Sequence, residues 1–158
     1  MEIGQAYTAQ FDNATAGLNG GVPYDLVIIS TTASVPVLLE RAVFTCNATG
    51  SQIQRIQLAI KSSAGAAATA LATTNLPTGS GSNVTPAASS TVSYNATTAG
   101  TLVRSIDSQE WNQLAPYEFN QRPSGLLIPV SGFAAFTLTA APGTSFIYSF
   151  TLEFREIK

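Results

Sequence analysis

Histidine is absent from the 158 residues, and a single cysteine, Cys46, stands alone. Without imidazole, neither Ser-His-Asp nor Cys-His catalysis can be assembled, and no zinc site that needs a His ligand can form. One cysteine closes no internal disulfide, so the fold must be held by packing. Cys46 follows Ala42-Val43-Phe44-Thr45 and reads as a buried strand residue. Charge is scarce too: seven Lys/Arg and nine Asp/Glu give a net −2, with charged residues 10% of the chain. They are scattered singly, so there is no basic stripe to displace counterions from nucleic acid, and the reading is no nucleic-acid partner. No apolar window reaches the about 18 residues a membrane helix needs, which predicts no membrane partner. The start, Met1-Glu2-Ile3-Gly4-Gln5, is acidic with no apolar stretch after it, which predicts a chain made and folded in a cytosol without a secretory leader. The sequons at Asn13, Asn47, Asn83 and Asn95 then read as coincidences of a Thr-rich composition.

What is present reads as all-β. Val, Ile, Phe, Tyr and Thr recur in short runs that suit pleated surfaces. In Ser145–Arg155, Phe146, Tyr148, Phe150, Leu152 and Phe154 fall on one face at strict period two. Gly132–Ala140 alternates as well, and the Ala141-Pro142-Gly143-Thr144 turn between them predicts a C-terminal hairpin. Leu26–Ser30 is continuously apolar, as in a strand covered on both faces. Val37–Cys46 and Ile53–Lys61 are expected to pair through the 47–51 turn, the second with Ile56, Leu58 and Ile60 inward and Arg55, Gln57 and Ala59 outward. Thr91–Tyr94, Thr101–Ile106 and Leu126–Val130 complete the set, and residues 1–12 read as an extended N-terminal arm or edge strand. About eight strands predict a single antiparallel β-sandwich domain over residues 1–158, with a jelly roll as the expected topology. An immunoglobulin-like sandwich competes, but lacks its Cys…Trp…Cys spacing.

Two stretches break the strand pattern. Residues 62–90 form one long Ala/Ser/Thr-rich loop or insertion, with a short helix conceivable over Ala64–Ala72. Asp107–Gly125 holds the only Trp, two further aromatics and two prolines. Within it Trp111, Tyr117, Phe119 and Arg122 are the residue types that anchor protein interfaces, so they form the candidate partner contact. The same cluster can instead fold back as a cap over the core.

Catalysis and cofactors find little support. Glu110 and Glu118 beside aromatics are the only pair suggesting glycosidase chemistry, which needs two carboxyls set across a sugar-sized cleft. Calcium would need several converging carboxylates, and only Asp12-Asn13 with Asp25 could supply a weak site. Gly17-Leu18-Asn19-Gly20-Gly21 lacks the Lys-Ser/Thr of a phosphate loop and reads as a turn. The expectation is a protein that is not an enzyme and carries no cofactor or metal.

Trp111-Asn112-Gln113-Leu114, Pro116-Tyr117, Arg122-Pro123, Leu127-Ile128-Pro129-Val130 and Phe150-Thr151-Leu152-Glu153-Phe154 together resemble a known family. It is that of the head decoration, or cement, proteins of tailed bacteriophages, thought of as single jelly rolls. The resemblance covers roughly the last fifty residues, with Pro36–Thr45 agreeing more loosely, and residues 62–90 have no counterpart in it. It implies a structural virion protein on the outer capsid surface, binding across major capsid protein subunits and stabilising the shell. It also implies a homo-oligomer, a trimer favoured over a dimer. A carbohydrate- or receptor-binding jelly-roll module of a phage fibre or spike is the alternative, with Trp111 and Tyr117 stacking on sugar rings.

Overall fold

The computed structural model describes residues 6–16, 23–47, 52–66, 69–71, 74–75, 89–140, 142 and 145–157. Among them lie twelve strands and no helix: β1 (Ala6–Ala16), β2 (Tyr24–Ser30), β3 (Val37–Asn47), β4 (Ile53–Lys61), β5 (Thr69–Leu71), β6 (Thr74–Asn75), β7 (Thr91–Tyr94), β8 (Leu102–Asn112), β9 (Tyr117–Asn120), β10 (Leu126–Ile128), β11 (Phe133–Leu138) and β12 (Phe146–Glu156). All pairings are antiparallel, in two sheets. The first runs β10-β3-β12-β1-β6, with β9 also on β3, and the second runs β5-β7-β2-β11-β4-β8. The sheets meet face to face across a shared core, which makes the molecule a β-sandwich.

Side-chain alternation builds that core. Phe146, Tyr148, Phe150, Leu152 and Phe154 of β12 all point inward and are buried. Ile56 and Leu58 of β4 do the same, and Ile60 packs against them. Phe44 of β3 sits at the centre, its ring 4.9 Å from Phe136 of the opposite sheet and 6.0 Å from Phe150. Half-buried Cys46 lies beside this cluster, and burial pushes its thiol up to about 12, so it stays protonated at neutral pH.

The second sheet is covered on its outer face as well, which accounts for the unbroken apolar run of β2. Ile28, Ala96 and Ala135 form a separate buried cluster there, with Phe133 against it. Two segments, 62–66 and 95–101, lie over this face. Ala96 N–H donates to Asp25 O at 3.0 Å, Thr97 N–H to Ala66 O at 2.9 Å and Ser62 N–H to Thr101 O at 3.0 Å. Ala59, expected to face solvent, is therefore fully buried.

Several sequence expectations are corrected. β3 and β4 do not pair, because β3 lies in the first sheet and β4 in the second; β11 and β12 are split the same way. A short polar link between alternating strands serves a crossing from sheet to sheet as well as a hairpin. The hydrogen-bonded partners are instead distant in sequence: β1 with β12, β2 with β11, β3 with β9 and β4 with β8. Asp107–Gly125 is not devoid of strand, since β8 extends to Asn112 and β9 follows at Tyr117. Of the expected arm, residues 6–12 belong to β1, paired with β12 along its length and with β6 at Tyr7 and Thr8; residues 1–5 lie outside the described residues. Within 62–90, β5 pairs with β7 where a helix was conceivable, because ladder bonds to a neighbour override a weak alanine preference. Residues 67–68, 72–73 and 76–88 of that insertion lie outside the described residues.

Candidate functional site

Three of the four candidate contact residues serve the chain's own core. Trp111, the next-to-last residue of β8, is 2% exposed. Its ring meets Phe44 edge-on at 6.2 Å and Phe146 at 6.0 Å, while its Nε1–H donates to Ala115 O at 2.8 Å and so closes the β8–β9 turn. Tyr117 opens β9 with its ring 5.9 Å from Phe44 and its hydroxyl donating to Asp107 Oδ2 at 3.0 Å. Burial first, and the Asp107 charge second, push that phenol well above its ordinary range. Phe119 lies edge-on to Phe136 at 6.3 Å. The aromatic cluster is thus the cap across one corner of the sandwich, and these rings have almost no surface left for a partner chain or for stacking on sugars.

Arg122 is exposed, yet it too is engaged within the molecule. Between β3 and β12 the register slips by one residue, pairing Glu153 with Arg41 and Phe154 with Leu39. Glu40 is the extra residue of that bulge, so two successive charged side chains share the outer face instead of alternating. Around them an ion-pair chain of alternating sign forms. Arg155 Nε meets Glu40 Oε1 at 2.5 Å, Arg122 Nε meets Glu40 Oε2 at 3.7 Å, and Arg122 Nη2 contacts Glu153 Oε2. Arg41 continues it, with Nη1 3.3 Å from Glu153 Oε1 and Nε 2.8 Å from Glu118 Oε1. Three cations and three anions leave this face neutral. The chain also accounts for Glu40 and Arg41, whose sequence reading was a solvated face or a charge paired across a subunit boundary.

β8 is the longest of the described strands that pair on one side alone. It ends the second sheet, and among the described strands its ladder is with β4 alone. Apart from Trp111, and from Ile106 and Asp107 at its middle, the strand is exposed along its length. Leu102 is 52% and Val103 63% exposed at one end, and Ile53 on the adjoining β4 is 63% exposed at the other. Register slips against β4 leave Val103 and Ile106 as bulge residues. Between the apolar ends lie Arg104, Ser105, Ser108, Gln109 and Glu110, a polar and hydrogen-bonding row. Sequence reading placed a strand at Thr101–Ile106 but neither carried it on to Asn112 nor marked it as an edge, since its mostly exposed residues show little alternation.

Other candidate chemistry is dispersed. Glu110 stands opposite Arg55 on the β8–β4 ladder, whereas Glu118 is held by Arg41. Asp12 is exposed on β1 while Asp25 is fully buried beside Lys61, so the calcium reading loses its second half. No group of three or more metal-ligating side chains occurs among the described residues, nor a helix long and apolar enough to cross a membrane. In comparisons with known proteins, no family model, no curated protein and no solved structure matches this chain.

Proposed function

We propose that this chain is a structural virion protein that decorates a phage capsid, with β8 as the edge that binds major capsid protein subunits. The observation that carries the reading is the open, bulged β8 edge with exposed Leu102 and Val103, in a molecule whose other aromatic and charged candidates are engaged internally. A free edge takes up an extended segment of a partner through main-chain bonds, and its apolar ends supply pockets or plugs for side chains.

The fold reading is a jelly roll. Taking β1, β2, β3, β4, β8, β9, β11 and β12 as its eight strands, the first pairs with the eighth, the second with the seventh, the third with the sixth and the fourth with the fifth. Such nesting is what rolling one long hairpin around a barrel produces. β5, β6, β7 and β10 are then additions to that frame. The chain acts as a homo-oligomer, a trimer in preference to a dimer, so that several weak edge contacts combine through effective concentration. The fibre or spike alternative is not favoured by any particular feature, because Trp111 and Tyr117 are buried.

The test is light-scattering mass of the purified chain, followed by co-sedimentation with shells assembled from the major capsid protein of the same genome. A discrete oligomer that pellets with shells is expected. The double variant Leu102→Lys, Val103→Lys should keep its stability within about 0.5 kcal/mol, as exposed positions do, and lose co-sedimentation. A wild-type chain that stays in the supernatant overturns the decoration reading, and a double variant that pellets like wild type overturns the assignment of β8.

A further inference from the structure

Under the cover of the second sheet lies a charged pair that the proposed function does not use. Asp25 of β2 is fully buried and Lys61, the last residue of β4, is 4% exposed. Lys61 Nζ contacts Asp25 Oδ1 directly. The two strands are not neighbours, for β11 runs between them. From β11, the Thr137 hydroxyl donates to the same Oδ1 at 2.6 Å. The other oxygen, Oδ2, accepts the Gly100 N–H at 2.9 Å. Backbone closes over the group, which is why small residues stand there. A Cβ on Gly65 would lie 2.2 Å from Thr98 O and 2.9 Å from Asp25 Oδ2, and one on Gly100 would lie 2.0 Å from Ser63 O.

We propose that Asp25 and Lys61 join covalently, as an intramolecular amide between Lys61 Nζ and Asp25 Cγ. Separated charges are costly in a site shut off from water. A proton passing from the ammonium to the carboxylate converts the pair into an amine and a carboxylic acid, a nucleophile beside an electrophile. Nζ, already in contact with Oδ1 and so one bond away from Cγ, attacks Cγ and forms the C–N bond. The displaced electron pair gathers on Oδ2, where the Gly100 N–H receives it as an oxyanion donor would. Collapse of this intermediate breaks the Cγ–Oδ1 bond. Oδ1 leaves as water, carrying the acid proton and a second proton passed to it directly from Nζ, while the Thr137 hydroxyl that donates to Oδ1 steadies the leaving oxygen. One ammonium and one carboxylate become one amide and one water, with no oxidant, metal or cofactor in the balance. Fixed proximity takes the place of activation, as in other reactions between groups held in contact. The product ties β2 to β4 across β11 and stands or falls independently of the capsid reading.

Intact mass spectrometry of the denatured full-length protein tests this. The wild type is expected at about 18 Da below its sequence mass, the loss of one water, and should remain there after boiling in denaturant. A tryptic digest should contain one branched species joining the peptides of Asp25 and Lys61. Lys61→Met and Asp25→Ala should return to full sequence mass, a readout that holds whether or not they fold well, and Thr137→Val should accumulate the uncrosslinked form. Full sequence mass in folded wild-type protein overturns the proposal in favour of a plain buried ion pair. So does a water loss that maps elsewhere than to a 25–61 branch.

Discussion

Trp111 separates two roles that look identical in a sequence. Its indole touches Phe44 and Phe146 and its Nε1–H holds the Ala115 carbonyl, so the residue acts on the chain that carries it. Trp111→Ala should therefore lower unfolding stability by about 3–5 kcal/mol, the cost of truncating a buried aromatic. A urea titration followed by circular dichroism reads this directly, and a change below 1 kcal/mol would show that the ring is not part of the core. Residues on alternating strands were legible beforehand: the inward set of β12, and Ile56, Leu58 and Ile60 of β4, follow from period two alone. Trp111, Tyr117 and Phe119 were not, because a core cap and an interface anchor both call for large rings with a polar handle in a segment without periodicity. Asp25 and Lys61 were hidden for another reason. The alternation of β4 set Arg55, Gln57 and Ala59 outward, on the side that Lys61 shares, and only the folded positions of 62–66 and 95–101 reveal that this end of the face is covered.

At the scale of elements, positions in the chain were legible and partners were not. β3 and β4 each sit close to where alternation places them, yet each finds its partner beyond the neighbouring turn. The bulge at Glu40 shows how local irregularity then shapes a surface. It gathers Glu40 and Arg41 on one side, and β9 and β12 bring Glu118, Glu153 and Arg155 to meet them, with Arg122 coming from the turn after β9. Such a chain of partly exposed pairs contributes little to stability, since water competes for each partner and long side chains lose freedom. Arg122→Ala is expected to cost about 0–1 kcal/mol in 50 mM salt, and less at 1 M, where the Debye length shrinks to about 3 Å. Urea midpoints at the two salt concentrations check this. A loss above 2 kcal/mol that persists in high salt would instead mean that Arg122 is a structural keystone of the outer face.

For the whole molecule, the scarcity of charge in the sequence acquires a spatial meaning. The net charge is only −2, and eight charged side chains are matched inside the fold: Asp25 with Lys61, and the three-by-three chain on the first sheet. On the proposed contact edge, Arg104 and Glu110 are of opposite sign within one strand. What this molecule presents to a partner is therefore a nearly neutral surface of Ser, Gln and a few apolar side chains. Association through such a surface gains its free energy from main-chain bonds and apolar burial, neither of which ionic strength screens strongly; electrostatic steering acts mainly on encounter rates. Binding to shells should thus change by less than about threefold in Kd between 50 and 300 mM NaCl, measured by co-sedimentation across a titration of the chain. A loss of about tenfold or more over that range would require a concentrated field that the described charges do not form. The contact would then have to be sought outside β8, in residues carrying unmatched charge.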